Sequence, residues 1–160
     1  MDITTFTQLI TYIVDHGIQT MYENTDVKEF TVDYCAIFSR NEDEYNVLFD
    51  FCKQIGKEID KQYNKTGHTF LLDNGIKTST GVLQNIKIRK HDQTRPQRGA
   101  PDFMVSDYQS FKEAYLHTSG NFTLLVRKEY EMIEVKGIDV LVYIPNKSMQ
   151  ERISQQTIET

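Results

Sequence analysis

The chain has 160 residues, 39% of them hydrophobic and 26% charged, which fits one globular domain able to bury a real core and excludes a disordered or fibrous chain. A formal net charge of −5 disfavours a nucleic-acid partner, and no apolar run approaches the roughly 18 residues of a membrane span. The opening MDITTF has no basic segment followed by an apolar run, so the expected location is the cytoplasm.

In chain order, Phe6, Leu9, Ile10, Ile13 and Val14 recur at helical spacing and predict an N-terminal helix whose first half ends at Gly17. His16 then reads as a charge partner at a helix C-terminus. FTVDYCAIFS is a strand, rich in β-branched and aromatic residues. Asn41 with Glu44 three residues later is a capping-box pattern that opens a second helix, with Tyr45, Leu48, Phe49, Cys52 and Ile55 on one face and Gly56 at its end. Cys35 and Cys52 fall within apolar patterns and read as buried thiols. From Gly56 to Lys90, strand-like runs alternate with Gly, Asn and Thr turns.

The order then repeats. PDFMV predicts a strand, SDYQSFKEAYL a short helix capped by Ser106 or Asp107, and NFTLLVRK, YEMIEVKG and IDVLVYIP three more strands. The expected architecture is α+β: two tandem β-α-β-β-β units forming a curved mixed-sheet cup, with an N-terminal helical extension. Within a single domain, 1–160, the extension covers 1–28, the first unit 29–92, the second 93–146, and a polar C-terminal tail 147–160, a frayed end or a last helix.

Between the units runs KIRKHDQTRPQRGAPDF. Up to Arg98, Lys87, Arg89, Lys90, Arg95 and Arg98 against Asp92 give it +4, so the rest of the chain carries −9. Pro96, Gly99 and Pro101 suit a fixed bend, and the arginines can clamp the acidic partner unit or, in a homodimer, a second protomer.

Alternation sorts the strand residues by face. Cys35, Ile37, Ile86 and Ile88 suit the helix side, which places Tyr34, Ala36, Phe38, Lys87 and Arg89 in the cup. Phe103, Val105, Met132, Glu134, Leu141 and Tyr143 are assigned there too, with His68 and Phe70 joining from HTFLLD. Arg89, Lys87, Arg95 and Arg98 supply positive potential, with Arg presenting a planar fork for carboxylate or phosphate, and the aromatic residues supply walls. The implied guest is a small anionic or aromatic molecule. Glu134 is the candidate base and Arg89 the oxyanion partner should the cup be catalytic. His68, His91 and His117 are the other candidate ligands or proton shuttles, without a diagnostic spacing. Neither cysteine has an activating neighbour, and phosphate-loop and dinucleotide fingerprints are missing.

The element order, with the strings VDYCAIFS, GKEIDKQY and TFLLDNG, resembles the vicinal-oxygen-chelate superfamily, the family of glyoxalase I, bleomycin-resistance proteins and extradiol dioxygenases, and within it the YecM-type branch. The resemblance covers roughly residues 30–145. It implies a divalent metal held by His and Glu from the first and last strands of each unit. At those positions this chain has Tyr34, Lys87 or Arg89, Phe103, and Leu141 or Tyr143, so the expectation is a cup without the usual metal and without a resident cofactor. A lyase, isomerase or dioxygenase with an atypical metal site is one alternative, and a non-catalytic protein-interaction module with a filled cup is the other.

Overall fold

The computed structural model describes residues 1–59 and 65–159; residues 60–63 of the GKEIDKQY string lie outside them. Helix α1 (Ile3–Asn24) opens on Asp2, whose carboxylate accepts the Thr5 N–H, and closes at Thr25. Its Phe6, Ile10, Ile13 and Val14 stripe is fully buried and runs on to Met21.

The helix does not end at Gly17. A Cβ built there would lie 2.5 Å from Pro101 Cγ and 3.2 Å from the Phe103 ring, so the glycine is a slot into which the sheet packs. Gly17→Val is accordingly expected to cost about 1–3 kcal/mol through overpacking. Denaturant unfolding measures this, and an unchanged midpoint would mean the slot is not filled. Because the helix continues, His16 sits in its middle and not at its C-terminus; its Nδ1 lies 2.8 Å from the Tyr12 carbonyl and its Nε2 3.6 Å from Asp139.

Two β-α-β-β-β units follow. The first comprises β1 (Phe30–Phe38), α2 (Glu42–Ile55), β2 (Gly56–Ile59), β3 (Gly67–Thr78) and β4 (Gly81–Arg89). The second comprises β5 (Gly99–Val105), α3 (Tyr108–Tyr115), β6 (Phe122–Val126), β7 (Glu131–Lys136) and β8 (Leu141–Pro145). The Asn41 side chain accepts the Glu44 N–H at the start of α2, and Asp107, not Ser106, does the same for Ser110 at the start of α3. The eight strands form one mixed sheet in the order β2-β3-β4-β1-β5-β8-β7-β6. In each unit the first strand pairs parallel with the last, and the units meet where β1 and β5 pair antiparallel. The fold is α+β, with α1, α2 and α3 packed on one face of the sheet through a core that includes Cys35, Ile37, Leu48, Cys52, Ile88 and Phe111. The opposite face is the cup.

The tail is ordered as a helix, α4 (Met149–Glu159). Ser148 and Glu151 form a reciprocal box at its start: the Glu151 N–H donates to Ser148 Oγ at 3.1 Å and the Ser148 N–H to Glu151 Oε1 at 3.3 Å. Among the described residues no helix is long and apolar enough to cross a membrane.

Candidate functional site

The pairing of β1 with β5 shifts register between Val32 and Tyr34. Before the shift Phe30 and Val32 face the helix-side core; after it Cys35 and Ile37 do, which turns Tyr34, Ala36 and Phe38 into the cup. In β4 the fully buried Ile86 and Ile88 face the helices, placing Lys87 and Arg89 on the cup face as the alternation predicts. Glu134 stands opposite Tyr143 in the β7–β8 ladder, on the same face.

Three assignments change. Phe103 does not line the cup. It is fully buried on the helix side against Gly17 and Phe30, with ring centroids 4.8 Å apart for the phenylalanine pair, and Val105 packs against the same core. The cup positions of β5 are Ala100 and Asp102, because Asp102 is registered with Tyr34 on one side and Tyr143 on the other. His68 and Phe70 also belong to the helix side: the His68 ring centroid is 4.8 Å from that of Phe49 in α2, and its Nδ1 is 2.5 Å from Glu58 Oε1. Thr69 takes the cup position instead, 3.5 Å from the Tyr34 hydroxyl. Arg98 does not face a ligand. Its guanidinium pairs with both Glu44 carboxylate oxygens at 2.6 and 3.0 Å and donates to the Phe38 carbonyl at 2.9 Å, clamping the linking loop to the start of α2 in the first unit.

What remains divides the cup by charge. At its Phe38 end Lys87 is registered with Ala36 and Arg89 with Phe38, while Arg95 reaches over from the linking loop. The Arg89 guanidinium lies 5.3 Å from the Phe38 ring centroid and 3.8 Å from an Asp92 carboxylate oxygen; Arg95 Nη1 is 3.5 Å from the Tyr143 hydroxyl. Lys87 donates to Thr66 Oγ1 at 2.6 Å. Ala36, Phe38, Ala100 and Leu141, with Tyr143 against them, form an apolar floor. Burial, and then the charge of Arg89, pushes the Lys87 ammonium down to about 8. Burial and then Arg95 lower Arg89 in the same sense. Burial first, with Glu134 adding to it, raises the Tyr143 phenol to about 12. Beside this end, a cleft of about 210 Å³ is lined by Phe38, Ser39, Arg40, His91, Arg95 and other residues of the linking loop, without Lys87 or Arg89.

The other end is acidic and covered by α4. The Met149 N–H donates to Asp33 Oδ2 at 2.7 Å, and Arg152 Nη2 donates to Asp102 Oδ2 at 2.8 Å with each side chain of that pair only 3% exposed. Asp33, Asp102 and Arg152 were not identifiable from strand alternation alone. The one local signal was the Ser148–Glu151 spacing, which marks a helix start within the polar tail.

His68 lies outside the cup, in a groove of about 610 Å³ beside α2 with Glu42, Tyr45, Asn46, Phe49 and Lys90, and His91 lines both this groove and the cleft at the Phe38 end. His117 is exposed after α3.

The metal implied by the family resemblance does not fit the cup. With Asp102 in place of Phe103 as the cup residue of β5, the corresponding positions hold one carboxylate, and Arg152 occupies it, while Lys87 and Arg89 would repel a divalent ion. Among the described residues, no three His, Cys, Asp or Glu side chains converge to hold a metal.

No family model matches this sequence, and no curated protein matches it. Among solved structures the chain is similar to the structural-genomics protein EC4020, with a TM-score of 0.71 over 97% of this chain and 91% of that one. At 11% identity the likeness shows a shared fold and nothing about chemistry.

Proposed function

We propose that the protein is a cytoplasmic small-molecule-binding protein of vicinal-oxygen-chelate type that holds a small anion at the Phe38 end of the cup without a metal. The observation that carries this reading is the convergence of Lys87, Arg89 and Arg95 over one apolar floor. Arg89 and Arg95 each depress the charged form of a neighbouring cation, so an anion placed among them relieves repulsion as well as gaining charge-assisted hydrogen bonds. Phe38 and Tyr143 give the same site an apolar wall and a hydroxyl, which suits a carboxylate or phosphate carried on a short acyl or aromatic group.

The test is a thermal-shift screen of small mono- and dicarboxylates and organophosphates against the wild type and Arg89→Ala. A binding anion at about 100 times its dissociation constant is expected to stabilise the wild type by about 2.7 kcal/mol, and most of that shift should vanish in the variant. Equal shifts in both proteins would remove Arg89 from the site and the proposal with it.

A catalytic version of this reading is favoured by one feature. Glu134 and Arg89 face the same cup, giving a carboxylate base and a cation for a developing oxyanion. Incubating a stabilising carboxylate in D2O distinguishes the two, since proton abstraction next to its carboxyl would exchange that proton for deuterium and simple binding would not.

A further inference from the structure

The acidic half of the cup carries a second recognition chemistry. Asp102 and Tyr34 are held by neighbouring strands in fixed register, and Tyr130 immediately precedes β7. Together they surround the Arg152 guanidinium: its carbon lies 4.6 Å from the Tyr130 ring centroid and 5.9 Å from that of Tyr34, and one N–H reaches Asp102. A buried carboxylate beside two aromatic faces favours a planar, weakly hydrated guanidinium over a compact ammonium. The sheet builds this cage, while its occupant comes from a helix joined to β8 by residues 146–148.

The occupant fits imperfectly. Arg152 engages Asp102 through Nη2 alone and shares a side-chain hydrogen bond with Tyr130, but its buried Nε has no hydrogen-bond partner. A guanidinium unconstrained by a helix backbone can present two parallel N–H groups to both carboxylate oxygens, the stronger geometry. We propose that the Asp102–Tyr34–Tyr130 cage is a binding site for a small alkylguanidinium molecule, filled in cis by Arg152, and that α4 is the lid such a ligand displaces. The site uses different charged residues from the anion cluster, and Tyr143, registered with Asp102 and 3.5 Å from Arg95, stands between the two.

Methylguanidinium tests it, with methylammonium as the control of equal charge. In full-length Arg152→Ala, methylguanidinium at ten times its dissociation constant is expected to raise Tm by about 3–6 °C, methylammonium by much less, and neither should act on the Asp102→Asn/Arg152→Ala double variant. No response in Arg152→Ala, or equal responses to the two cations, would overturn the cage. The lid is tested on the wild type by hydrogen exchange, which also serves if Arg152→Ala does not fold. Methylguanidinium is expected to speed amide exchange in α4 and leave β5 and β8 unchanged. An α4 whose exchange does not respond across the titration would overturn displacement.

Discussion

Arg152→Ala is expected to lower the stability of the protein by about 3–5 kcal/mol, the range for stripping one partner from a buried ion pair. The cost comes from what is left behind: Asp102, buried between Tyr34 and Tyr143, would hold a carboxylate with no cation beside it. Replacing both partners by apolar residues, as in Asp102→Leu/Arg152→Met, should recover more than half of the loss, because neither desolvated charge remains. Chemical denaturation of the three proteins measures this, and a double variant no better than the single one would show that the pair is worth more than the cost of burying it.

The same substitution has a pH signature. Burial raises Asp102 and the Arg152 charge and hydrogen bond pull it back, for a net rise from 3.8 to about 6. A carboxyl raised in the folded state binds protons more tightly there than in the unfolded chain. Its contribution to stability is therefore full below 3.8 and is lost as the pH rises through about 6. Removing Arg152 takes away the downward pull and moves the loss to higher pH, with a larger total. At pH 5 Asp102 is mostly neutral in both proteins, so the deficit of Arg152→Ala should be smallest there and grow between pH 6 and 8. A deficit independent of pH would mean that Arg152 acts through packing and not through the Asp102 charge.

Phe103→Ala is expected to have a comparable effect, about 3–5 kcal/mol, for a different reason: a fully buried ring is removed from the slot at Gly17 and from its contact with Phe30, and the rigid sheet and helix cannot close the void. The response to a binding anion should be unchanged, because the ring lies on the opposite face of the sheet from Lys87 and Arg89. A reduced anion response at unaltered fold would put the ring back in the cup.

That prediction also shows where the sequence was readable. Periodicity and caps located α1, α2, α3 and both β-α-β-β-β units, since each depends on residues close together in the chain: the buried stripe of α1, Asn41 with Glu44, and Asp107. In β1 and β4 an unbroken apolar parity, Cys35 with Ile37 and Ile86 with Ile88, identified the helix side, and Lys87 and Arg89 followed. In β5 and β3 the parity carrying Phe103 and Phe70 faces the helices and not the cup. Phe103 was assigned to an aromatic cup because nothing near it in sequence reports that Gly17, more than 80 residues earlier, leaves room for its ring. His68 went astray for the same reason, its partners Phe49 and Glu58 lying on other elements. Of the cup's acidic half, Asp102 was hidden between two apolar neighbours, and Arg152 in a tail whose polar composition conceals that one charged side chain is buried.

The placement of α1 against β5 has a consequence during synthesis. The helix emerges from the ribosome early, but the strand that carries Pro101 and Phe103 to Gly17 is complete only about 80 residues later. At about 5–20 residues per second, the apolar stripe from Phe6 to Met21 waits roughly 4–16 s for that surface. Over that interval a nascent chain presents a sticky amphipathic segment to whatever surrounds it, and its yield in a cell should depend on translation speed and chaperone supply more steeply than the stability of the finished protein would suggest.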